Sequence, residues 1–467
     1  MNMRYYLGIL FLLTASCTVS LGQTRTINLE EARELAIQNN KTLKMASEQE
    51  RVAYYEKKDA FTKYFPEISM MGGYIRNQKN LNLIPSSSIP SSITLPPISG
   101  VFPGAEIPVP DGIRDRIKKI GEVDIKNIWI GNISLVQPLF MGGKIVAYND
   151  IMKNAELLAK NQKDTKLQDV IVEVDATYWQ VISLSYKKKL AESYLGLLKK
   201  MHSDVNAMEE EGVATKADVL SVAVKENEAE MALTKVDNGL SLSRMLLNQI
   251  CGLPIDDSIT LFDEVNEVKL ADNGTVEIPS VQEAWYNRSE IKSLELATKI
   301  YKGKEKVARA EFMPQVALTA NYLWTSPNMF DGFDKSFRGM WNVGVLVKVP
   351  LNITSNTAKL NAAKAQTRIQ EYQLEEAKEK IELQVNQSAY KLNEAYKRYT
   401  ASEKNMEKSN ENLRYANTGF EEGVIPPSDV LAAHTAWLSA HSDLIDAQID
   451  IRLSRVYLDK ALGRNLK

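Results

Sequence analysis

The sequence predicts a mixed α+β membrane protein in which strands of membrane-spanning length alternate with very long helical hairpins, arranged as an internal two-fold repeat. Three observations carry that expectation. Asn352 to Thr418 runs for 67 residues without a Gly or a Pro. Pro314 to Ser326 alternates strictly between two side-chain classes, the period of a strand with two different faces. Landmark residues recur at fixed spacing between the two halves of the chain.

Composition narrows the function classes. The 467 residues are 44% hydrophobic and 25% charged, with neither the charge excess of a disordered polymer nor the long apolar runs of a helical-bundle membrane protein. Formal charge is -2, from 57 basic and 59 acidic side chains, so there is no electrostatic footprint for nucleic acid. Cys17 and Cys251 lie too far apart to suggest a disulfide framework, and His202, His434 and His441 lack the spacing of a metal site. His434 and His441, seven apart on one helical face, read as structural. No phosphate loop or nucleophile elbow occurs, so neither enzymatic chemistry nor a cofactor is expected.

The N-terminus reads as an export signal. Arg4 precedes the apolar run Leu7 to Ala15, and Ser20-Leu21-Gly22 forms a small-residue cleavage site that would start the mature chain at Gln23. The alternative is lipidation at Cys17, because Thr14-Ala15-Ser16-Cys17 approaches a lipobox with Thr in the place of Leu. Beyond 1-22 no helix-length apolar run exists, so any membrane-spanning part must be a β-barrel.

The halves align at two offsets. Ala36, Asn39, Pro66 and Tyr74 match Ala284, Asn287, Pro314 and Tyr322; Pro138, Gly212, Asp218, Leu220 and Gly252 then match Pro350, Gly423, Asp429, Leu431 and Gly463. The offset changes because the first half carries about 36 extra residues, including the Pro- and Ser-rich stretch Ile84 to Pro110, an enlarged surface loop. The first repeat is therefore 23-255, with a loop over 76-122 and a hairpin over 144-251. A linker covers 256-279. The second repeat is 280-467, with strands over 314-326 and 341-351 and a hairpin over 354-463.

Each repeat opens with a helix, Asn28 to about Lys63 and Ser280 to about Phe312, closed by Pro66 and Pro314. Two strands follow, of which the second-repeat pair alternates cleanly. Val316, Leu318, Ala320, Tyr322 and Trp324 oppose Gln315, Ala317, Thr319 and Asn321, while Trp341, Val343, Val345 and Val347 oppose Asn342, Gly344, Leu346 and Lys348. The long helices come next; 67 residues at 1.5 Å each extend about 100 Å, which no globular core accommodates. Gly212 and Gly423 end them, and shorter partners return to Gly252 and Gly463 as antiparallel coiled-coil hairpins.

Strand arithmetic then points to oligomerisation. Four strands of about 10 residues cannot close a barrel, and open edges in lipid leave backbone groups unpaired at several kcal/mol each. Several copies must pool their strands, unless the strands form a soluble patch in a secreted coiled-coil adaptor or scaffold without a membrane barrel. An adaptor of that kind should carry a β-domain between its helices, whereas here the strands lie outside each hairpin.

The export signal, the repeated order of elements, and the paired motifs EEGVATKADVL (Glu210 to Leu220) and EEGVIPPSDVL (Glu421 to Leu431) resemble the TolC-like outer membrane factor, or outer membrane efflux protein, family. The resemblance covers essentially the whole mature chain. It implies a homotrimer whose four strands per chain make one twelve-stranded β-barrel, continued into an α-helical barrel in the periplasm. It further implies an outer-membrane exit duct of a tripartite efflux or type I secretion system. Such a duct passively conducts drugs, metals or polypeptides delivered by a periplasmic membrane fusion (adaptor) protein and an inner-membrane pump, with outer membrane lipid around the barrel.

The same resemblance assigns candidate residues. Glu211, Gly212 and Val213 with Glu422, Gly423 and Val424 match the hairpin tips where the adaptor docks, although the glycines also suit plain helix caps. Asp218, Asp429, Phe420 and Ile425 fall at the periplasmic entrance, where Thr215 with Asp218 makes a capping-box pattern. In some family members a Tyr and an Arg near the second tip hold an Asp at the first; Phe420 and Ile425 stand at those two positions here, so that latch cannot form. Trp129, Trp324 and Trp341 are candidates for a lipid-interface belt or for packing, and Asn342 and Lys348 for a pore-facing strand surface.

Overall fold

The computed structural model describes residues 25-96, 104-265, 279-330 and 334-464. The export signal, Cys17 and most of the expected linker lie outside the described residues. In chain order the elements are β1 (Arg25–Ile27), α1 (Leu29–Asn39), α2 (Lys41–Thr62), β2 (Glu67–Arg76), β3 (Leu81–Asn82), a 3₁₀ turn (Ser86–Ser88), β4 (Ser92–Leu95), β5 (Ala105–Pro108), α3 (Asp111–Ile120), β6 (Glu122–Val123), β7 (Asn127–Phe140), α4 (Lys144–Glu210) and α5 (Lys216–Cys251). They continue with β8 (Ile259–Leu261), α6 (Phe262–Val265), α7 (Val281–Asn287), α8 (Ser289–Ala310), β9 (Gln315–Ser326), β10 (Arg338–Lys348), α9 (Ile353–Glu421) and α10 (Pro427–Ala461).

Two helices expected to be continuous are each broken in two. Asn40 stops α1 with its backbone extended, its N–H donating to the Ala36 carbonyl at 2.8 Å. Its side chain then donates to the Ile250 carbonyl at 2.9 Å and accepts from the Thr42 N–H at 2.8 Å, which caps α2. Arg288 does the same between α7 and α8, its N–H donating to the Ala284 carbonyl at 3.0 Å. Strand β10 is displaced from the expected 341-351. It pairs from Arg338, opposite Thr325, to Lys348, opposite Gln315, and stops ahead of Pro350, which has no N–H to give a ladder.

Contacts divide the chain into two compact units. The helical unit comprises described residues 25-53, 155-265, 279-297 and 370-464. One apolar cluster joins Val174, Tyr178, Val181 and Ile182 of α4 to Leu240, Leu247 and Ile250 of α5, Ala32 and Ala36 of α1, and Ile27, Ile259 and Leu261 of the parallel β1-β8 ribbon. The stretch expected as a plain linker thus contributes a strand to this core. Asp175, fully buried, accepts a two-pronged bond from Arg33 at 2.7 and 2.5 Å. A second cluster gathers Val385, Ala389 and Leu392 of α9, Leu458 and Ala461 of α10, Ala284 of α7 and Ile291 of α8. Gly252 and Gly463 close α5 and α10 with positive φ of 70° and 68°, and a Cβ at either would collide with Asn39 or with Arg288.

The strand unit comprises described residues 54-96, 104-154, 298-330 and 334-369. Its four-stranded sheet runs β10-β9-β7-β2, antiparallel throughout. The expected long loop contains more order than its Pro and Ser content suggests: β3 and β6 form a two-stranded ribbon of their own, β4 pairs with β5, and α3 follows β5.

Candidate functional site

The sheet's register sorts its side chains into two faces. Tyr74 stands opposite Trp129, Gly131 opposite Trp324, Ile133 opposite Tyr322 and Tyr322 opposite Trp341. Ile68, Met70, Leu135, Leu318, Ala320, Val343, Val345 and Val347 share this face, which is mainly apolar across all four strands, with Gln137 opposite Leu318 and the Arg76–Asn127 pair at its loop end. The other face mixes Ser69, Asn132, Ser134, Gln315, Thr319, Asn321, Asn342 and Lys348 with Met71, Ile130, Val136, Leu323, Met340 and Leu346, with Ser69 against Ser134 at 2.7 Å and Asn321 donating to Asn342 at 3.0 Å. The alternation of β9 and β10 therefore separates the aromatic face from a second face that holds most of the polar side chains, Asn342 and Lys348 among them.

Trp129, Trp324 and Trp341 fall on the apolar face toward the loop end of the sheet. Trp129 packs on Tyr74 at 4.6 Å between ring centroids, and Tyr322 lies 5.9 Å from Trp324. Trp341 is 73% exposed, whereas Trp324 is half-buried because its ring occupies the space that a side chain at Gly131 would fill. Tyr322 covers Gly339 in the same way. Sequence reasoning missed Tyr74 and Tyr322 as members of this aromatic group, a signal that their direct alignment between the halves carried. It also missed Phe61, Tyr64 and Phe65, exposed and in ring contact at 5.5 to 5.7 Å where α2 gives way to β2.

The hairpin tips lie in the helical unit and share one construction. Gly212 and Gly423 adopt φ of 76° and 75°, which lets the N–H groups of Val213 and Ala214 reach the Met208 carbonyl, and those of Val424 and Ile425 the Gly419 carbonyl. Glu211, Gly212, Val213, Glu422, Gly423 and Val424 are all exposed. The caps that follow differ. Thr215 Oγ1 accepts from the Asp218 N–H at 3.2 Å, while Asp218 accepts from the Thr215 N–H at 2.9 Å and hydroxyl at 2.6 Å. These bonds from Thr215 hold the Asp218 carboxyl below the usual carboxylate range. At the second tip Pro426 supplies no side-chain cap, and exposed Asp429 accepts from Ser428 at 3.3 Å.

A third apolar cluster lies just behind the tips. Leu198, Met201 and Val205 of α4, Val219 and Val222 of α5, Ala416 of α9, and Val430 and Leu431 of α10 form it, and Phe420 and Ile425 pack against it. The two side chains at the latch positions therefore serve apolar packing between hairpins. Among the described residues no cluster of three His, Cys, Asp or Glu could hold a metal ion, and no helix is long and apolar enough to cross a membrane.

Residues 280–464 match the family model described as outer membrane efflux protein. The fold of the chain is similar over nearly its whole length to those of solved outer-membrane proteins. The CmeC outer membrane channel of Campylobacter jejuni superposes with a TM-score of 0.74 at 14% identity, covering 93% of this chain and 85% of that one. The outer membrane protein VceC of Vibrio cholerae gives 0.71 at 15%, covering 94% and 97%. The open-state MtrE channel of Neisseria gonorrhoeae gives 0.68 at 17%, covering 94% and 89%. No curated protein matches the chain in sequence. The description of the matched family names the outer membrane, the location expected from the sequence.

Proposed function

We propose that three copies of this chain pool their strands into one twelve-stranded barrel, and that the trimer is the passive exit duct of a tripartite efflux or type I secretion system. The observation that carries this reading is the four-stranded sheet with one continuous apolar and aromatic face and two free edges. An exposed apolar sheet of this extent in water invites aggregation, whereas in lipid it is the required outer surface of a barrel. From Phe65 to Tyr74 the strand spans two aromatic groups, and nine residues at about 3.4 Å, tilted as barrel strands are, match an apolar band of roughly 25 Å. A scaffold that used these strands only for packing would bury them.

In this arrangement Trp129, Trp324 and Trp341 with Tyr74 and Tyr322 sit at the outer lipid interface, and Asn342 and Lys348 face the pore. The exposed tips receive an adaptor protein, which couples the duct to an inner-membrane pump. The internal duplication is supported by conformation as well as sequence: the Asn40 and Arg288 breaks and the left-handed glycines 212, 252, 423 and 463 recur at the offsets of the aligned landmarks. Conductance of the purified protein in planar bilayers tests the duct. Stable trimers that open discrete pores support it, and a folded protein that never conducts refutes it.

A further inference from the structure

β2 and β10 form the two edges of the sheet, and every residue of both is exposed. Each edge presents a row of unpaired backbone N–H and C=O groups. Because four strands alternate in direction, β2 runs opposite to β10, so β2 of one copy and β10 of another form an antiparallel pair. On the polar face, at the end of the sheet where β2 begins and β10 ends, two charges of opposite sign stand on opposite edges. Glu67 is the first residue of β2 and Lys348 the last of β10; neither forms a salt bridge within 4 Å among the described residues, although Lys348 also acts electrostatically on Glu311, itself bonded to Lys144.

Alternation limits how two edges can meet. Keeping the apolar face unbroken across a seam lets Glu67 stand opposite Leu346, Lys348 or the position two further on, but not opposite Val347. Strand ends at one level then leave Lys348 directly opposite Glu67 or one diagonal step away, about 5 Å or about 7–8 Å, both within reach of a lysine.

We propose that Glu67 of one copy pairs with Lys348 of a second copy of this chain, and that this ion pair sets the register of the barrel seam. The inference rests on the trimeric-barrel reading. A slip of one residue would turn Asn321 and Asn342 toward lipid, so a charge pair at the seam's end has a register to protect.

The test uses the full-length protein in detergent, compared as wild type, Glu67→Lys, Lys348→Glu and the double reversal. Each single reversal places like charges at three seams and lowers the temperature at which trimers dissociate by several degrees; the double reversal restores it. Glu67→Cys with Lys348→Cys gives a covalent trimer with a thiol crosslinker of about 8 Å span, matched to the diagonal distance. Wild type, with only its native cysteines, gives none. Stable wild-type trimers that ignore every reversal and yield no crosslink overturn the seam pair and leave the barrel standing. A wild type that is monomeric overturns the barrel and the pair together.

Discussion

Arg33→Met leaves the Asp175 carboxylate buried without its counterion, and the cost can be worked from the pair's surroundings. Asp175 is 0% exposed and the Arg33 side chain 22%, joined by two bonds at 2.7 and 2.5 Å between α1 and α4. Breaking one partner of a buried pair costs about 3–5 kcal/mol, and the partial exposure of Arg33 puts this pair near about 3 kcal/mol. A unit of roughly 250 residues unfolds with an entropy near 0.5 kcal/mol/K, so the helical transition falls by about 6 °C. Replacing both partners, Arg33→Met with Asp175→Leu, removes the stranded charge and recovers most of the loss. Far-UV circular dichroism melts of the purified protein in detergent measure all three. An Arg33→Met variant that melts with the wild type, or a double variant no better than the single one, would refute the reasoning.

Four further outcomes follow from the same geometry. Gly212→Ala and Gly423→Ala meet no atom within 4 Å, so each costs only the left-handed backbone penalty of about 1–2 kcal/mol, read from melts. Exposed Val213→Asp and Val424→Asp change stability by less than about 0.5 kcal/mol yet abolish binding to a purified adaptor in a surface-capture assay. Burial pushes the Cys251 thiol up to about 11, so a thiol-reactive disulfide reagent labels it only after unfolding. Burial also lowers the pKa of His434 and His441 below 6.5, and the unfolded chain therefore takes up protons first as pH falls through that value. Stability is full above it and declines below it, and His434→Phe with His441→Phe flattens that decline in melts recorded across the range.

Much of this architecture was legible because each legible feature is local. The strands β9 and β10 alternate since one face meets residues such as Tyr322 and Trp341 and the other Asn321 and Asn342. Thr215 and Asp218 stand three apart, which is the reach of a capping box, and the long helices show as stretches almost free of Gly and Pro. What escaped the sequence depends on partners far along the chain. The break at Asn40 needs the Ile250 carbonyl, strand β8 exists because β1 lies beside it, and Asp175 meets Arg33 across 142 residues. The aromatic group was half seen for the same reason: Tyr74 and Tyr322 join it through cross-strand neighbours that no single strand reveals. Phe420 and Ile425 announced the lost latch, but only the packed cluster behind the tips shows what those side chains do instead.

The most direct measurement is the native mass of the protein extracted in mild detergent from separated outer membranes, with crosslinking in intact cells alongside. Three chains per particle in that fraction is the result the shared barrel requires. A monomer or dimer released without detergent would mean that the apolar face of the sheet never meets lipid, and the duct would have to be abandoned.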